Sequence, residues 1–183
     1  MPPCASPHST PTSRSPGGDP PPRIAPHLDK VRELADAAGR QLRFGIRLHV
    51  IARDTSEEAW AAADALIADA DEATIAAVQQ RLARTASEGQ RRMRSLHGGS
   101  RDGLEVYPNL WAGIGLLRTG AGTALVGSHE EIADRMTEYH ELGISEFILS
   151  GYPHVEEAYA FGEGVVPVLR RRGLIGETVA AAA

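Results

Sequence analysis

At 183 residues the chain has room for one ordinary domain, and a hydrophobic content of 42% is adequate for a core. A net charge of −5, with arginines scattered rather than striped, offers no general attraction to nucleic acid or anionic lipid. No apolar run approaches the roughly 20 residues of a membrane span and no hydrophobic signal core opens the chain, so the expected setting is the cytoplasm. The single cysteine, Cys4, excludes an intrachain disulfide and a cysteine metal cluster, and no histidine spacing selects a metal.

In chain order, Met1 to Pro26 carries nine of the twelve prolines with little to bury, which predicts a disordered leader. From His27 the texture changes: Leu28, Val31, Leu34, Ala35 and Ala38 recur at helical spacing, and Gly39 supplies a stop. Leu42 to Ala52 reads as a strand with Phe44, Ile46, Leu48 and Val50 on one face and Arg47 and His49 on the other. Thr55 and Glu58 have capping-box spacing before a helix whose face is Trp60, Ala63, Ile67 and Ala70. A second helix is expected from about Asp71 to Ala83, with Ile75, Val78 and Leu82 inward and a possible extension toward Leu96. Leu96 to Pro108 reads as a long loop.

Leu110 to Leu117 is apolar and interrupted by glycine, and Arg118 follows in a glycine-rich turn. Thr123 to Val126 is a short strand candidate. Ser128 and Glu131 form a second capping box, opening a helix with Ile132, Met136 and Tyr139 inward that closes near Gly143. Glu146 to Gly151 is another buried strand, and Val155 to Arg172 a final helix with a kink at Pro167. Alternating helices and nearly continuous apolar strands predict a parallel α/β sheet. Three or four strands cannot close a (β/α)8 barrel, which needs about 250 residues, so barrel material here is a piece of one.

Four residues are candidates for chemistry. Residues two apart in a strand project the same way, about 6.6 Å apart, so Arg47 and His49 can grip one small anion or, equally, cap neighbouring groups. Arginine stays charged while histidine exchanges a proton near neutral pH. Tyr152 follows the strand ending at Gly151, at the carboxyl edge where parallel sheets place their sites. Arg118 lies in a turn that is neither a Walker loop nor a dinucleotide fingerprint, and an exposed arginine on a flexible turn is the plainer reading. His97, His129, His140 and His154 read as surface or capping residues.

Four segments together, Leu42 to Val50, Pro108 to Leu116, Thr119 to Gly127 and Ile148 to His154, resemble the FMNH2-dependent alkanesulfonate monooxygenases of the bacterial luciferase-like group. The similarity runs from about Pro22 to about Leu169 and covers only the C-terminal half of that family's chain. It implies the C-terminal half of a (β/α)8 TIM barrel over residues 27–175, followed by a flexible tail at 176–183. It also implies reduced FMN as co-substrate, O2, an alkanesulfonate, a separate NAD(P)H-dependent FMN reductase and a homo-oligomer, with aldehyde and sulfite as products. The family's site arginine and histidine fall on Arg47 and His49, its mobile-loop arginine on Arg118 and its site tyrosine on Tyr152. The first strands, a site cysteine and most flavin contacts belong to the other half, so the expectation is an open-edged partial barrel with little or no activity alone. The alternatives are another luciferase-like flavin or deazaflavin oxidoreductase, or a fragment without catalysis.

Overall fold

The computed structural model describes residues 12–15, 18–84 and 88–176. In chain order these form β1 (Thr12–Ser15), α1 (Pro21–Ala37), β2 (Arg43–Arg53), α2 (Ser56–Ile67), α3 (Glu72–Arg84) and α4 (Glu88–His97). There follow β3 (Glu105–Tyr107), β4 (Leu110–Trp111), α5 (Ile114–Leu117), β5 (Ala124–Ser128), α6 (His129–Glu141) and β6 (Ile144–Ser150). The described chain closes with α7 (His154–Ala160), one π turn (Phe161–Val165) and α8 (Val166–Arg171).

β2 is the spine of the sheet. It pairs in parallel with β6 along one side, and on the other with β1 near its start and β5 near its end. The antiparallel hairpin of β3 and β4 extends the sheet beyond β5. The parallel strands match the reading of apolar runs as buried on both faces, and the hairpin adds a mixed edge that the long-loop expectation for residues 96–108 lacked. The fold is therefore mixed α/β, built on a central sheet of parallel and antiparallel strands.

Alternation along β2 divides the core in two. Phe44, Ile46, Leu48, Val50 and Ala52 join Leu125 in packing under α1, α6 and α8, through Ile24, Leu28, Ile132, Tyr139 and Leu169. On the other face Ile51, Ala124 and Val126 pack against Ala59, Ala63 and Ile67 of α2 and Ile114 and Leu116 of α5. His49 belongs to this second face, and Arg47, two residues earlier, is exposed on it.

Both expected capping boxes are formed: the Thr55 and Ser128 side chains each accept from the backbone N–H three residues on, and Glu58 and Glu131 reach back. The leader boundary at Pro26 requires correction. α1 begins at Pro21, and Gly18, Asp19 and Pro20 before it are buried. The Thr123 hydroxyl donates to the Gly18 carbonyl at 2.8 Å, and the Tyr139 hydroxyl donates to the Asp19 carbonyl at 2.9 Å. Proline is well tolerated in a first helical turn, where no backbone N–H bond is needed. Ile24, within the expected leader, is 1% exposed and heads the inward face, whereas Leu34 is 63% exposed. The rest of the expected leader apart from β1, and residues 177–183 of the expected tail, lie outside the described residues.

Three further differences concern helices. The extension toward Leu96 is a separate helix, α4. In α3, Gln79 is buried where Val78 was expected inward. The last helix is interrupted by the π turn before Pro167, which lies in the first turn of α8, where its missing N–H is harmless.

Candidate active site

His49 is fixed by its strand. It lies opposite Ala124 of β5 and Ser150 of β6, and its N–H donates to the Thr123 carbonyl at 2.9 Å. The side chain is 2% exposed, and its Nδ1 has no hydrogen-bond partner. Register brings Tyr152 to it: β6 ends level with His49, and two residues later the phenol ring stacks on the imidazole at 5.4 Å between centroids and 26° between planes.

Arg118 arrives from a different direction. It sits on the loop between α5 and β5, with its Cζ 5.4 Å from the centroid of the Tyr152 ring, a cation–π distance. The loop is pinched at its base, where the Gly115 N–H donates to the Gly122 carbonyl at 2.9 Å. A Cβ on Gly122 would lie 3.2 Å from the Gly115 Cα, so both neck positions favour glycine. Arg47 completes the group from β2, on the His49 face. The structure thus gathers His49, Arg118 and Tyr152 at the carboxyl edge of β6, while Arg47 stands two residues before His49, opposite Ile148, and reaches the group through its charge.

The electrostatics follow from burial. Loss of hydration lowers the His49 pKa from its ordinary 6.5 to about 4, helped by the positive charge of Arg118 and then by Arg47 and His154, against a backbone hydrogen bond at Ala121. At neutral pH the imidazole is therefore uncharged, able to exchange hydrogen bonds or to take a proton from a strong acid. Among the described residues neither Arg47 nor Arg118 pairs with a carboxylate, so the two guanidiniums leave positive charge uncompensated beside a buried polar ring. Such a site suits a compact anion.

Sequence reasoning missed part of this neighbourhood. His154, read as a surface or capping residue, is exposed, but its ring lies 5.0 Å from that of Tyr152 and its charge acts on His49. Its position two residues after Tyr152 was the available signal. His97 is not a surface residue: it is 5% exposed and accepts from the Gly99 N–H at 3.0 Å through Nδ1. His129 is half-buried with Nδ1 3.8 Å from Asp54, and His140 is exposed. Glu157 of α7 is 1% exposed and binds the Arg53 guanidinium with both carboxylate oxygens, at 2.6 and 3.1 Å. Among the described residues no group of three or more His, Cys, Asp or Glu could hold a metal, and no helix is long and apolar enough to cross a membrane.

Several solved structures share this fold, three of them as follows. A riboflavin lyase, solved with a modified FMN and riboflavin, aligns at 22% identity with a TM-score of 0.64, covering 93% of this chain and 40% of its own. DmoA from Hyphomicrobium sulfonivorans aligns at 18% identity and 0.66, over 91% of this chain and 39% of its own. A long-chain alkane monooxygenase aligns at 21% identity and 0.60, over 94% and 38%. The chain thus spans about two fifths of the length of the structures it matches and corresponds to part of their barrel. The model of the luciferase-like monooxygenase family matches residues 15–146, a span that includes β2, the Arg118 loop and the start of β6. With most of its sequence matched in this way, the chain belongs to the luciferase-like monooxygenase family.

Proposed function

We propose that the chain supplies the anion-binding and proton-handling side of a reduced-FMN-dependent alkanesulfonate monooxygenase, which uses O2 to cleave the carbon–sulfur bond and yields aldehyde and sulfite. One observation carries the reading: a buried, neutral His49 with an unpartnered Nδ1 feels the charge of two guanidiniums, Arg118 and Arg47, that have no carboxylate partner among the described residues. An anion entering there gains charge-assisted contacts from the guanidiniums, and the orphaned nitrogen of the neutral imidazole can accept a hydrogen bond or a proton from a protonated ligand oxygen. The resemblance of its motifs to those of alkanesulfonate monooxygenases supports a sulfonate as that anion.

The residues present fit a flavin as well, because Arg47 or Arg118 can also meet its phosphate. Reduced FMN, when bound, supplies the electrons that activate O2. The chain's own part is narrower: Arg118 and Arg47 hold and orient the anion, His49 accepts a proton or a hydrogen bond at its free nitrogen, and the Tyr152 phenol donates a hydrogen bond or a proton to an oxygen that gains charge. Folding the Arg118 loop over Tyr152 keeps water from the reacting atoms. A separate NAD(P)H-dependent reductase delivering reduced FMN, a homo-oligomer and a cytoplasmic setting complete the proposal.

Sulfite release from a series of linear alkanesulfonates, with reduced FMN and O2, provides the test. The chain joined to a family amino-terminal half is expected to release sulfite, and Arg118→Ala to lower the rate on the order of 100-fold, a typical loss for one charge-stabilising donor. The 183-residue chain alone is expected to release none. Turnover of an alkane or another non-sulfonate, with no sulfite from any sulfonate, would instead point to a different luciferase-like oxidation.

A further inference from the structure

The loop that carries Arg118 to Tyr152 is held at its neck, and holding groups come from α3 and α4. Gln79 of α3, 6% exposed, donates from Nε2 to the Gly115 carbonyl at 2.9 Å and to the Leu116 carbonyl at 2.8 Å. Its Oε1 accepts from Arg94 Nε of α4 at 3.3 Å, which orients the amide so that both N–H bonds face the neck. The His97 ring lies against Gly115, where a Cβ would stand 3.1 Å from it, and the Met93 Cβ lies 3.6 Å from the Cβ position of Gly122. A buried amide whose nitrogen donates to the carbonyls of Gly115 and Leu116 has little to do for the core that leucine could not do. Its donors serve backbone carbonyls at the root of one loop.

We propose that Gln79 is a positioning residue for Arg118: through the Gly115 and Leu116 carbonyls it sets the loop so that the guanidinium lies over Tyr152 and beside His49. The proposal rests on the reading of Arg47, His49, Arg118 and Tyr152 as one site. It assigns α3 and α4, which contribute no residue to that site, the task of holding its loop-borne cation. The path runs from Gln79 through two carbonyls of α5 and along the end of that helix to Arg118, which caps it.

The charge of Arg118 acts on His49, so His49 is the reporter. The groups that influence it are Arg118, Arg47, His154 and the backbone at Ala121. The imidazole titration is followed by NMR on the full chain, together with amide exchange over residues 117–121. Arg118→Ala is expected to move the His49 titration upward. Gln79→Leu should move it in the same direction with helix content unchanged, and speed loop exchange about tenfold, as for a segment released from local protection. In the double variant the titration should shift no further than in Arg118→Ala, because Gln79 acts through Arg118. Arg94→Ala, which removes only the group orienting the amide, should give a smaller shift of the same sign and serves if Gln79→Leu fails to fold. An unchanged titration and loop in the folded variants, or fully additive shifts in the double variant, would overturn the proposal. Neither readout uses sulfite, so failure of the sulfonate reading is seen separately in the release assay.

Discussion

A histidine kept neutral by burial and flanked by guanidiniums couples the site to folding through its proton. The folded pKa of His49 lies near 4 and its ordinary value at 6.5, so between these values the unfolded chain holds a proton that the folded chain does not. This contribution to stability is fully present above pH 6.5 and is lost as the pH falls through about 4. The expected outcome is a urea midpoint that declines across this window in the native chain. The decline should be shallower in His49→Gln, and equal slopes would show that His49 is not buried in its neutral form. The same residue explains why the paired Arg47 and His49 were ambiguous in the sequence. The strand period puts them on one face, but which of them is covered depends on α2, α5 and the Arg118 loop, far away in the chain.

Among elements, the join between β2 and α7 carries a cost that depends on one ion pair. Glu157 is buried under the sheet end, and the Arg53 guanidinium, about a third exposed, is its main charge partner. Removing the partner of a buried carboxylate is typically worth about 3–5 kcal/mol. Because Arg53 is partly solvated, the lower end of that range applies to Arg53→Ala. Glu157→Gln should cost less, since the amide keeps hydrogen-bond partners and strands no charge. Denaturant unfolding of the two variants checks the order, and a reversal would mean that the pair is not the link between these elements. The pair was invisible in the sequence because Arg53 and Glu157 stand 104 positions apart. The capping boxes at Thr55 and Ser128 were legible because partners three residues apart are joined by local geometry alone.

At the scale of the whole molecule, the second face of the sheet is covered unevenly. Near the carboxyl end of β2, α2 and α5 bury Ile51 and its neighbours, while toward its start Arg47 is exposed and Ile148, opposite it on β6, is 40% exposed. β6 pairs only with β2 among the described strands, so its outer edge presents free backbone groups beside an apolar side chain. Such an edge is a template for association. The isolated chain is expected to self-associate with rising concentration, and Ile148→Lys to suppress this without loss of fold, as followed by light scattering and circular dichroism. Equal scattering from both proteins would show that the edge is not the contact. The structures that share the fold extend well beyond this chain, in keeping with a sheet that has room for more strands.

Local periodicity and capping made most elements readable: β2, α2, α6 and β6 fall within a few residues of their expected bounds, because each is specified by side chains one turn or two residues apart. The four candidate residues could likewise be named from their places beside strands and turns. Long-range packing decided the rest. It drew residues 18–26 out of an expected leader and under the sheet, since Thr123 and Tyr139 offered their backbone the hydrogen bonds that composition could not foretell. It also buried Gln79 at the neck of a loop 36 residues away, and pressed His49, Tyr152 and Arg118 together. Meetings of this kind depend on how covered faces stack in space, and that is set by the core as a whole rather than by any single stretch of chain.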